Sequence, residues 1–198
     1  MRQIALFIRE SGKRLTFYKS CCAEIAASLE DGSREFTNLT VLCPTRWVIR
    51  AKGIISIINN YKPISKVLHN ISLDRSFTPD ARTKASGFLK KLIKFETIVG
   101  MHISLSIFQP CESLATKLQS QGNSVGSAFQ AIALLKEHIQ KLRSDESFNG
   151  IFEKADSFRE EHDLELPHEG RRSCLPRWLD DHPENAHHAS LFKDKCRV

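Results

Sequence analysis

Apolar residues along this chain recur at intervals of three and four positions rather than at every second position. This spacing places them along one face of an α-helix, whereas a half-buried β-strand would need strict alternation. The pattern continues through most of the sequence up to position 165. The sequence therefore predicts an all-α protein, a bundle of about five to seven helices.

Polar capping residues mark three of the expected helix starts. Thr78 precedes Pro79, which suits the first position of a helix because that position needs no backbone N–H. Asn123 or Ser124 caps the next helix, and Ser144 caps the one after it. Apolar residues at helical spacing follow each cap, so we expect three well-defined helices.

Glycine and proline predict where helices break. Pro63 lies within the apolar stripe of residues 54–71 and predicts a kink or a division of that helix. Gly100 and Pro110 are the expected weak points of the following helix. The pair Ser11-Gly12 is expected to separate two N-terminal helices.

Composition predicts two regions of different character. Residues 1–165 form the helical domain, interrupted over 30–46 by a loop that contains a short extended piece at Leu39–Leu42. From residue 166 to 198 the chain is rich in Pro, His and Arg and has few large apolar residues. Such a segment buries too little apolar surface to offset its ordering entropy, so we expect a disordered C-terminal tail.

Charge is distributed unevenly around a formal net value of +6. Residues 1–95 contain 17 Lys and Arg against 7 Asp and Glu, whereas residues 96–166 contain 6 against 11. A basic half predicts an anionic partner, of which nucleic acid is the commonest, although a run of charge is more often simply a solvated face.

Several classes of protein are excluded by what the sequence lacks. It has no phosphate-binding G-x-x-x-x-G-K-[ST] loop, no dinucleotide-binding G-x-G-x-x-G, no G-x-S-x-G nucleophile and no H-E-x-x-H. No cofactor and no enzyme class is indicated. Six cysteines without a C-x-x-C pair favour a reducing compartment, and no apolar stretch is long enough to cross a membrane or to act as a secretion signal.

Histidine and cysteine, the residue types that most often bind zinc, cluster in the expected tail. The residues concerned are His168, Cys174, His182, His187, His188 and Cys196. Their spacing matches neither C-x₂₋₄-C nor H-x₃₋₅-H. We therefore expect no metal site.

One local cluster has chemistry suited to nucleic acid. In residues 43–47 a proline turn precedes an expected helix start that carries Arg46 and Trp47, with Arg50 and Lys52 on the following turn. Cations and helix N-terminal amides hold phosphates, and an indole offers a stacking surface for a base. The alternative is that Trp47 is a core anchor and Arg46 an ion-pair partner.

Two runs, Phe7–Arg14 and Leu42–Arg50, and several shorter matches in the same order resemble one known family. The shorter matches are Asn59–Tyr61, Asp80–Ala85, Lys94–Glu96, Leu118–Ser120, Leu142–Asp145 and Leu179–Asp181. Together they resemble the hAT-superfamily transposases and their domesticated relatives, particularly the zinc finger MYM-type-like proteins. The resemblance covers nearly the whole chain.

This resemblance implies a role for the arginine-tryptophan pair. Transposases of this family have an RNase H-like core, in which two aspartates and a glutamate hold divalent metal, interrupted by a helical insertion domain. An arginine-tryptophan pair in that insertion helps to manage the DNA hairpin formed during excision, with the tryptophan stacked near the cleavage site. Arg46 and Trp47 match that pair.

The departures from the family pattern imply that the sequence corresponds to a part of such a transposase that lacks the catalytic residues. The family's C-x-x-H motif and its aspartates would precede a run such as Phe7–Arg14, and its glutamate and dimerisation segment would follow the equivalent of Leu179–Asp181. Neither set lies within the sequence. We therefore expect the helical insertion region alone, in which Asp180 and Asp181 are not the catalytic pair.

The leading hypothesis is a non-catalytic, transposase-derived domain that binds DNA, especially hairpin or unpaired ends, through Arg46, Trp47, Arg50 and Lys52. The resemblance implies a nuclear protein, with the cytoplasm as the alternative location. A different hypothesis is a helical interaction module that binds a nuclear protein or itself through the near-heptad stripe Val125–Leu142. A third is a functionless remnant of a transposase reading frame.

Overall fold

The computed structural model describes residues 2–28, 36, 39–40, 50–120 and 124–165, and α-helices account for 85% of them. Eight helices lie within these residues, without β-strands, so the predicted all-α class is confirmed and the predicted number of five to seven is too low. They are α1 (Arg2–Arg9), α2 (Gly12–Ser28), α3 (Arg50–Asn59), α4 (Tyr61–Leu73), α5 (Pro79–Leu92), α6 (Phe95–Gln119), α7 (Val125–Lys141) and α8 (Asp145–Glu161).

Helix α4 occupies the centre of the bundle. It contacts α2, α3 and α5, and its apolar residues Ile64, Val67, Leu68 and Ile71 have no exposed surface. Each such side chain contributes roughly 1.5–3 kcal/mol when fully buried. The core therefore forms around α4.

The three predicted caps are confirmed. The Thr78 hydroxyl accepts the N–H of Ala81 at 3.3 Å, and Pro79 takes the first helical position of α5. Ser124 and Ser144 cap α7 and α8 in the same way, each accepting an N–H three residues further on.

The division between α3 and α4 falls at Asn60 rather than at Pro63. The Asn60 side chain is buried and donates from Nδ2 to the Ser56 carbonyl at 2.6 Å, while the Asn60 carbonyl accepts the N–H of Ile64. Pro63 is the third residue of α4, where amides have no acceptor within the helix. The proline is therefore tolerated within α4, and the observed division lies three residues before the predicted one.

The expected weak points of the following helix do not interrupt it. The break comes instead at Ile93 and Lys94, where the Lys94 backbone is extended, and α6 then passes through Gly100 and Pro110 without ending. Thr97 reinforces the corner because its hydroxyl donates to the Lys91 carbonyl at 2.7 Å. Because the chain changes direction at Ile93 and Lys94, α5 and α6 can each bury apolar residues in the core.

Helix α8 packs along the first half of α6 through aromatic contacts. The rings of Phe152 and Phe95 meet edge to face at 5.6 Å, and Phe158 approaches His102 at 6.0 Å, so the two helices run in the same direction here. Phe158 also contacts Tyr61 of α4 at 5.1 Å. Burial and the nearby Lys154 ammonium lower the pKa of His102, which favours the neutral imidazole.

Helix α7 contributes no buried residue to this core. It packs against α6, yet Val125 and Phe129 remain 74% and 68% exposed. The near-heptad stripe of this helix is therefore only partly used within the described bundle.

Other expectations concern residues beyond those described. The C-terminal tail over 166–198, with its histidines and cysteines, lies outside them, as does Val41-Leu42 of the expected extended piece. Across the described helices, none combines the length and the apolar character that crossing a membrane requires.

We expect Leu68→Ala to destabilise the protein by roughly 2–5 kcal/mol, because it removes apolar atoms from a fully buried site and leaves a cavity. The matched control is Leu73→Ala in the same helix, where the side chain is 64% exposed and the change should stay within about 0.5 kcal/mol. Urea denaturation followed by circular dichroism measures both. Equal effects would contradict the central place of α4.

Candidate nucleic-acid interface

The structure describes two of the four predicted contact residues. Arg46 and Trp47 lie outside the described residues, whereas Arg50 and Lys52 belong to the first turn of α3. The structure therefore gives the relative positions of Arg50 and Lys52 only.

Arg50 and Lys52 point in different directions. The half-buried Arg50 guanidinium lies over the ring of Phe108 in α6 at 5.4 Å, a cation–π contact, whereas Lys52 is exposed. Residues two apart on a helix are separated by about 200° and do not share a face. Lys52 is thus the described member of the cluster that is most open to an anionic partner.

A buried carboxyl group occupies the N-terminal turn of α3. Glu112 of α6 accepts the N–H of Ala51 at 2.7 Å and is shielded from solvent. The negative charge complements the positive end of the helix dipole and ties α3 to α6. The backbone N–H groups of this turn were expected to be able to receive a phosphate, and the one on Ala51 is already engaged.

The chain that enters the segment carrying Arg46 and Trp47 is held at two points. The Arg9 guanidinium donates to the Leu39 carbonyl at 3.1 Å, and the Thr40 N–H donates to the Ser56 hydroxyl at 3.1 Å. Leu39 is buried in the core. Helices α1 and α3 thus fix the start of this segment.

A groove of about 620 Å³ runs between α1 and α5. Arg14, Lys84 and Lys91 contribute cationic groups to its lining, against Glu10 and Asp80. Lys84 forms an exposed ion pair with Asp80 at 2.8 Å.

Aromatic side chains form part of the same groove. Phe7 of α1 and Phe88 of α5 meet edge to face at 5.4 Å, and both line it. The Arg14 guanidinium lies over Phe7 at 4.2 Å and donates to the Phe7 carbonyl. Phe7 is buried and the Arg14 guanidinium covers one of its faces, so the groove offers cations rather than an open stacking surface.

Three lysines in the last turn of α5 and just after it extend this basic surface. Lys90, Lys91 and Lys94 are exposed, and none forms an ion pair with any residue that the structure describes. These lysines are not among the predicted contact residues. Their signal in the sequence is three lysines within five positions, with no acidic residue between them.

Reactive groups elsewhere are shielded or scattered. Burial raises the pKa of the Cys21 thiol and that of the Tyr18 hydroxyl, which disfavours the nucleophilic thiolate and phenolate. No group of three or more His, Cys, Asp or Glu side chains within the described helices and turns is arranged to hold a metal ion.

Comparison of the chain with protein-family models, with curated proteins and with solved structures gives no match.

We expect Glu112→Ala to destabilise the protein by roughly 1–3 kcal/mol, because it leaves the buried Ala51 N–H without its acceptor. Glu112→Gln retains an acceptor oxygen and should cost less. Glu153→Ala, on the exposed side of α8, is the control and should change little. Thermal and urea denaturation measure the three variants, and a Glu112→Ala protein as stable as the control would show that this bond is dispensable.

Proposed function

We propose that this chain is a non-catalytic, transposase-derived helical domain that binds DNA through its basic N-terminal half. The resemblance to hAT-superfamily transposases and zinc finger MYM-type-like proteins supports this proposal through the pair Arg46 and Trp47. A DNA partner also makes the nucleus the expected location.

The observation that carries the proposal is the basic surface on α5. Lys90 and Lys91 are exposed in the last turn of this helix and Lys94 is exposed just after it, and Lys91 lines the groove that Arg14 also lines. Like charges at this spacing repel one another, and a nearby polyanion relieves that repulsion while releasing its own counterions. A phosphate backbone is the ligand that such a surface attracts most generally.

The geometry at α3 suggests which groups would hold phosphate. Because Glu112 accepts the Ala51 N–H and brings negative charge to the helix N-terminus, side chains such as Lys52 would bind phosphate rather than the amide of Ala51. Trp47 would then supply stacking on an unpaired base, which cations alone cannot provide. Binding would combine a backbone contact without sequence preference with recognition of unpaired ends.

We expect Lys90→Ala/Lys91→Ala to weaken binding of the full chain to labelled hairpin DNA. The plot of log K against log salt should also become shallower, by roughly 0.7–0.9 for each phosphate group that the variant no longer binds. Fluorescence anisotropy over a series of salt concentrations measures both quantities.

The matched control for that experiment is Lys141→Ala/Lys154→Ala, which removes two exposed lysines from the acidic half. It changes net charge by the same amount and should leave the slope unchanged. Equal weakening by the two double variants would indicate a net-charge effect and would contradict a defined surface.

We expect Trp47→Ala to weaken binding to hairpin DNA with unpaired end bases by the value of one stacking contact, about 1–3 kcal/mol, with little change for a fully paired duplex. Trp178→Ala, at the other tryptophan, is the control. Circular dichroism checks that each variant is folded. An unchanged hairpin affinity in folded Trp47→Ala, or no binding by the wild type at low salt, would refute the assigned role.

A further inference from the structure

The most exposed apolar surface of the described bundle follows one line along α7. Val125, Phe129, Ile132 and Ile139 are 74%, 68%, 47% and 36% exposed. With Lys136 they occupy successive positions spaced by four, three, four and three residues. We call these five residues the outer stripe.

The outer stripe is distinct from the face by which α7 meets the bundle. Ala128, Ala131 and Leu135 are half-buried and lie about a quarter-turn around the helix from the stripe, and α6 is the helix against which α7 packs. Within the described residues, the outer stripe therefore has little cover.

Residues spaced in this way form the seam, the line of contact, between two paired helices. Alternating intervals of three and four keep apolar residues in line along about 21 Å of helix, and contiguous exposed apolar surface marks a site of association. The seam carries one charged residue, Lys136, and that residue restricts what can cover it.

We propose that the outer stripe binds the same stripe of a second copy of this chain, with the two α7 helices antiparallel about a two-fold axis at Ile132. This arrangement places Val125 opposite Ile139 and Ile132 opposite its own counterpart. It also brings Lys136 of the second copy to within one residue of the level of Phe129, about 1.5 Å along the helix, where the ammonium group can reach the aromatic face. Each stripe is thus complementary to itself, as a two-fold interface requires.

A parallel pair would not have this property. It would set Lys136 against Lys136 and leave Phe129 beside Phe129, so that two like charges would face each other within an apolar seam. The position of the single lysine therefore selects the antiparallel arrangement. This inference rests on α7 alone and does not depend on binding to DNA.

The decisive experiment is sedimentation of the full chain over a range of concentrations. We expect a concentration-dependent dimer for the wild type and a monomer for Ile132→Glu, which brings two carboxylates together on the two-fold axis. The dissociation constant should rise more than about tenfold. A wild type that stays monomeric throughout would overturn the proposal.

Helix α7 provides a matched control. Leu134 is 66% exposed and lies on the opposite side of the helix from Ile132, so Leu134→Glu makes the same chemical change outside the stripe. This variant should remain dimeric, with unchanged circular dichroism for both variants. Equal loss of the dimer in the two folded variants would overturn the assignment of the surface.

Two charge substitutions test the register. Phe129→Lys should dissociate the dimer, because it sets a second ammonium group against Lys136 of the second copy. Phe129→Glu should retain the dimer, because an antiparallel pair sets the new carboxylate against that same ammonium group, whereas a parallel pair would set two carboxylates against each other. Loss of the dimer in folded Phe129→Glu would overturn the antiparallel register.

Discussion

Burial of α4 is the constraint around which the other helices are arranged. Its apolar residues face α2, α3 and α5, and Tyr61 at its start meets Phe158 of α8. The hydrophobic effect is proportional to the apolar area removed from water, so a helix covered on several sides contributes strongly to the stability of the bundle. Helix α7 is separate from this arrangement, since it packs against α6 and buries none of its own residues. The described part of the molecule thus has a closed core and one helix with an open side.

The sequence predicted those features of the fold that depend on neighbouring residues. The caps at Thr78, Ser124 and Ser144 were identified because a capping hydroxyl bonds to an amide only three residues away. The breaks at Asn60 and Lys94 were not identified, since neither glycine nor proline marks them. They are set by which faces the core buries, and Pro110 lies within α6 because packing against other helices outweighs the absence of one backbone bond.

The candidate interface shows the same division between local and distant effects. Arg50 and Lys52 were expected to contact DNA together, but residues two apart on a helix lie on different faces, and in the structure Arg50 lies over Phe108 whereas Lys52 is exposed. The engagement of the Ala51 amide by Glu112 could not be predicted, because the two residues are 61 positions apart and only the tertiary fold joins them. The Ala51 amide is thus engaged within the protein, whereas the Lys52 side chain is exposed. Lys90 and Lys91 at the end of α5 are likewise exposed and form no ion pair with a described carboxylate.

The contact between Tyr61 and Phe158 has a consequence for the synthesis of the protein. The two rings meet at 5.1 Å although 97 residues separate them in the sequence. A ribosome adds about 5–20 residues per second, so roughly 5–20 s pass between the appearance of one ring and that of the other. Throughout that interval the apolar surface of α4 that α8 later covers is open on the nascent chain. A chain arrested before α8 would keep this surface open to solvent, and transiently exposed apolar surface of this kind favours aggregation.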